Sequence, residues 1–139
     1  MAFLLTHMKS LSPLLLRRFW QGIGWFGIVL LLYLSLTPQP PEIPVEEGDK
    51  IGHSLAYAVL MFWWAQLLVS APERRWLATA LIALGIAIEY VQGWTGCRTF
   101  DYFDMLADLI GVAIGWLLAV PRTPSVLALV GRLQIFSRS

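Results

Sequence analysis

Charge is scarce in this sequence. Only 14% of its 139 residues are Asp, Glu, Lys or Arg, whereas a soluble domain carries about a quarter. Ten basic residues face nine acidic ones, a net charge of +1. That balance excludes the broad basic surface a nucleic-acid partner needs. Cys97 is the single cysteine, so no internal disulfide can form. His53 has no second histidine near it, and no metal site is expected from it. No internal repeat and no low-complexity segment occurs. No nucleophile and base stand at helical spacing either: Ser54 is adjacent to His53, and adjacent helical residues do not face each other.

What the chain does have is apolar length. Hydrophobic residues make up 58% and the mean hydropathy is +0.66. A membrane span needs roughly 17–25 mostly apolar residues. Four stretches meet or approach this, at about 19–36, 51–70, 76–94 and 102–120. The expected architecture is all-α: one domain over residues 1–139, an integral membrane bundle of four transmembrane helices. The first stretch reads as a retained span, because its apolar run exceeds a signal-peptide core and no small-x-small cleavage site follows. Residues 125–136 read either as an interfacial helix on the inner leaflet or as a frayed tail.

Eight of the ten basic residues, namely Lys9, Arg17, Arg18, Arg74, Arg75, Arg122, Arg132 and Arg138, fall on one side of this arrangement. Lys50 and Arg98 fall on the other. The positive-inside rule then places both termini in the cytoplasm. Pro38, Pro40, Pro41 and Pro44 mark an extended outer loop over 37–48. Residues 71–75 read as a tight inner turn and 95–100 as a short outer turn led by Gly96.

Against this apolar background the polar residues gather at the outer ends of three helices. Asp49, Lys50 and His53 open the second span, with Tyr57 one turn beyond His53. Glu89 and Gln92 close the third. Arg98 lies in the turn, and Asp101, Asp104 and Asp108 open the fourth. Asp101, Asp104, Asp108, Gly111 and Gly115 follow steps of three and four, so they form one stripe. A carboxylate in hydrocarbon is costly and faces a bundle interior or a wet cavity. Glu89 and Asp108 should therefore meet Lys50, His53 or Arg98. The cluster is either a satisfied polar knot that fixes helix register or an outward-facing pocket. A pocket would suit an anionic group, with Arg98 as a bidentate partner. Alternatively, its acids would hold a divalent cation that bridges to phosphate. Asp101 is the expected cap of the fourth helix.

These residues carry a family resemblance. Asp49-Lys50-x-x-His53-x-x-x-Tyr57, then Glu89-x-x-Gln92, then Arg98 with Asp104, Asp108, Gly111 and Gly115 resemble, in order and spacing, the motifs of the VanZ-like family. The likeness covers roughly residues 37–118. Asp108 departs from the pattern, since relatives often carry Asn there. The family takes its name from a protein associated with resistance to the glycopeptide teicoplanin. The resemblance implies a multi-pass protein of the bacterial cytoplasmic (inner) membrane, close to cell-envelope processes. It supplies no reaction and no cofactor.

The function expected from this combination is recognition of a membrane lipid, a lipid-linked phosphate or envelope precursor, or a lipoglycopeptide. The ligand-binding residues would be Asp49, Lys50, His53, Tyr57, Glu89, Gln92, Arg98, Asp101, Asp104 and Asp108. A membrane enzyme acting on a lipid phosphate is the alternative, with Glu89 or Asp108 as candidate base. A third reading is a structural subunit, as a homo-oligomer or within a larger envelope complex.

Overall fold

The computed structural model describes residues 13–39, 41, 43–68 and 70–119. The segment 125–136 lies outside them. Four α-helices are present and no strand occurs among the described residues. They are α1 (Pro13–Leu36), α2 (Gly48–Ala65), α3 (Ala71–Thr95) and α4 (Tyr102–Leu118). Two of them, Leu14–Leu36 within α1 and all of α3, are long and apolar enough to cross a membrane. α2 and α4, with 18 and 17 residues, stand at the short end of the spanning range.

Local chemistry explains the boundaries. The α1 sequence contains no acidic residue and no proline after its first position, and the helix runs until the proline-rich loop begins. α2 starts from Glu47 in the left-handed region, φ 58°. A side chain at Gly48 would collide with the Ile43 carbonyl. α3 opens on a capping box: the Ser70 hydroxyl accepts from the Glu73 N–H, and the Glu73 carboxylate accepts from the Ser70 N–H. Pro72 sits in the first turn, where its missing N–H costs nothing. The expected inner turn at 71–75 is therefore the first turn of α3, and the chain reverses earlier. Ser70 is extended to cap α3 (φ −96°, ψ 149°), and α2 ends at Ala65, short of the expected 70. Gly96, with φ 69°, ends α3 in the left-handed turn that favours glycine. Asp101 caps α4 by accepting from the Phe103 N–H at 2.8 Å.

α2 and α4 form the tightest pair. Cβ atoms added at Gly111 and Gly115 would strike the carbonyl oxygens of Ser54 and Ala58. The small stripe thus brings two backbones into direct contact. Ser54 adds a hydrogen bond from its hydroxyl to the Ala107 carbonyl, 2.8 Å. Tyr57, Leu60, Met61, Leu81, Ile88 and Val112 fill the core around this seam. α1 lies along the outside, fastened near one end by Trp20 and Trp63. Their rings stack at 3.8 Å with planes 4° apart. Each indole N–H also donates to the other residue's carbonyl, at 3.2 and 2.9 Å.

Candidate functional site

The four-residue offset from Asp49 to His53 places both on one face of α2, and that face meets the N-terminal half of α4. Here the clustered residues form one connected network. His53 Nδ1 lies 2.9 Å from Asp108 Oδ1, and His53 Nε2 lies 3.8 Å from Asp104 Oδ2. Lys50 Nζ lies 2.8 Å from Glu47, 3.4 Å from Asp101 and 4.0 Å from Asp104 Oδ1. Arg98 Nη2 donates to Asp49 Oδ1 at 2.5 Å. His53, Glu89, Asp104 and Asp108 are buried, and Asp49 is exposed.

Two of these groups precede the apolar stretch that begins at Ile51, and their protonation follows from their partners. The hydrogen bond to Glu47 and the nearby Asp101 raise the Lys50 ammonium above its ordinary range. Partial burial works against the charged form of Asp49, but the bonded Arg98 guanidinium outweighs it and holds the carboxyl below its usual value.

Three expected residues have other work. Among the described residues Glu89 forms no ion pair with a Lys or Arg side chain: its Oε1 accepts from the Asp101 N–H at 2.5 Å and so anchors the start of α4. Gln92 leaves the cluster and donates to the Ser35 carbonyl at 2.7 Å, tying α3 to α1. Tyr57 is 1% exposed, yet its hydroxyl has no hydrogen-bond partner among the described residues. It lies beside Gly85, where a Cβ would meet both Asp108 Oδ2 and the Tyr57 hydroxyl. Gly85 is thus what makes room for the Asp108 carboxylate. It precedes Glu89 by four residues, on the same face of α3, and that spacing was available to find it.

The network forms one end of a groove of about 1010 Å³. Asp49, His53, Arg98, Asp101 and Asp104 line the polar end. Leu30, Leu31 and Leu34 of α1, with Leu55, Val59 and Leu60 of α2, line the rest. The motif residues mark only the head of this space. Part of its apolar wall comes from α1, which carries none of the motifs.

The family model VanZ/LLP1 matches residues 3–127. An uncharacterized protein of the fission yeast Schizosaccharomyces pombe is 34% identical over 101 residues, which is 67% of this chain and 59% of that protein. The chain thus spans less than two thirds of that relative's length. No solved structure matches. With the match extending over most of its length, and with the paired motif residues of α2 and α4 in contact, this chain belongs to the VanZ/LLP1 family.

Proposed function

We propose that this VanZ/LLP1-family protein is a multi-pass membrane protein with four spans and cytoplasmic termini, and that its groove binds an amphiphile. The amphiphile would be a membrane lipid, a lipid-linked envelope precursor or a lipoglycopeptide, with its headgroup at the polar end. The observation that carries this reading is the two-part lining of the groove. Leucine and valine walls suit a hydrocarbon chain, and a polar, charged end suits a headgroup.

The distribution of polarity supports placement in a bilayer. The four largest fully buried side chains are Tyr57, Met61, Gln92 and Glu89. Trp25, Phe26, Val29, Tyr33, Leu55, Trp76, Trp94 and Leu117 are meanwhile exposed. An exposed apolar surface of that extent needs an apolar surrounding, and polar groups turned inward are what hydrocarbon demands. Binding, rather than catalysis, suits the cluster. Its candidate base Glu89 already accepts a backbone N–H, and Asp108 is engaged by His53.

A bacterial inner membrane and a part in glycopeptide resistance extend this reading. A groove that holds a lipoglycopeptide by its acyl chain would lower that drug's access to its target. The test is lipid mass spectrometry on gently purified protein, comparing the parent with Ala56→Trp, which fills the trough. We expect an amphiphile with the parent and at least tenfold less with the variant. Equal recovery from both would sink the reading.

A further inference from the structure

We infer that Asp49, His53 and Asp104 form a site for one divalent first-row metal ion, Zn2+ or Mn2+, at the head of the groove. One atom from each of these three side chains can be chosen so that all lie within 4.8 Å of one another. Proximity of acids alone would carry little. Three independent features point to an ion.

The first is the orientation of the imidazole. His53 Nδ1 lies 2.9 Å from Asp108 Oδ1, a hydrogen bond that a proton on Nδ1 would donate. In that neutral tautomer the Nε2 lone pair is free, and Nε2 faces Asp104. A carboxylate behind a histidine is the arrangement that fixes tautomer and ring direction at metal sites. The second is spacing. The 3.8 Å from Nε2 to Asp104 Oδ2 is too long for a hydrogen bond. Yet two ligands each about 2.1 Å from one ion stand roughly 3–4 Å apart. The third is an orphan. Asp104 Oδ1 is buried and makes no hydrogen bond among the described residues. Its nearest cation is Lys50 Nζ at 4.0 Å, and that ammonium is already held by Glu47 at 2.8 Å.

The donor set narrows the ion. One imidazole and two carboxylates suit Zn2+ and Mn2+, whereas Mg2+ and Ca2+ favour oxygen throughout and Cu(I) favours sulfur. Three protein ligands leave at least one coordination position open. All three residues line the groove, so that position faces the space where a headgroup would lie, and water or an anionic oxygen can fill it. Arg98 stays on Asp49 as an outer partner, and Asp108 acts only through His53. The inference goes beyond the amphiphile reading and stands without it: an ion can bind whether or not a lipid does.

The test uses untagged full-length protein in detergent, with added Zn2+, Mn2+ or the spectroscopic substitute Co2+. One ion per chain is expected by elemental analysis, with a Co2+ visible spectrum typical of imidazole and carboxylate ligands. Asp104→Asn and His53→Gln should each weaken binding at least a hundredfold. Asp108→Asn should weaken it by about 10–100-fold, the range for an outer-shell partner. Arg98→Ala should bind at least as well as the parent, because it frees Asp49. A folded parent that takes up no stoichiometric ion overturns the site, as does an Asp104→Asn variant that binds like the parent. Lipid recovery from the same preparations is read separately, so failure of the metal site and failure of the amphiphile reading are distinguishable.

Discussion

His53 on α2 and Asp108 on α4, 55 residues apart in sequence, meet at 2.9 Å inside the helix pair. Both are buried, so the bond forms where water competes little and its removal leaves a buried polar group. Asp108→Asn keeps an oxygen acceptor for Nδ1–H and should fold. Asp108→Leu strands the imidazole and should cost about 1–3 kcal/mol. Denaturant titration of the two variants in micelles separates them, and equal stability would show that the bond contributes nothing.

Arg98 is engaged with an acid rather than waiting for an anion. Its guanidinium donates to Asp49 at 2.5 Å, and the pair is partly exposed. Arg98→Ala and Asp49→Asn should therefore lower stability by at most about 1 kcal/mol each. The double variant should be no worse than either single. Additive losses in a double-mutant cycle would show that the two residues act apart.

The glycine stripe makes a matched pair of tests. A methyl group at Gly111 falls on the Ser54 carbonyl, which is backbone and cannot swing aside. At Gly22 nothing lies within 4 Å. Gly111→Ala should destabilise by about 1–3 kcal/mol through overpacking. Gly22→Ala should be neutral or stabilising by up to about 1 kcal/mol, from helix propensity alone. Thermal melts of the two variants should move in opposite directions or differ clearly.

Orientation is read by thiol labelling. With cytoplasmic termini, Cys97 in the turn between α3 and α4 faces outward, and a cysteine replacing Arg75 faces inward. A membrane-impermeant reagent applied to intact cells should label Cys97 alone. Labelling at 75 only would reverse the topology.

Much of this was legible in the sequence because it obeys short-range rules. The stripe from Asp101 to Gly115 has helical spacing, and the Asp101 cap and the Gly96 turn are local signals. The same kind of signal was present, and missed, in Ser70-Ala71-Pro72-Glu73, whose capping box starts α3 several residues before its apolar run. The contacts among the polar residues were less legible. Nothing within α3 shows that Glu89 accepts from the Asp101 N–H or that Gln92 reaches Ser35, since both depend on how helices cross. The apolar wall of the groove was hidden for another reason: in a membrane-type sequence leucine is everywhere, so hydrophobicity no longer distinguishes lining from covering.

α1 is secured at two places, by Trp63 stacked on Trp20 and by Gln92 bonded to Ser35. Between them the Trp64 ring fills the space beside Gly24, and Leu60 packs against Gly27. From Ser35 down to Gly27 the helix rises roughly 12 Å at 1.5 Å per residue. The apolar wall that α1 gives the groove thus has a fixed length. On the proposed amphiphile reading, a short chain would lie within it. A longer one would bend out near Gly27, so the groove would discriminate between chains by length.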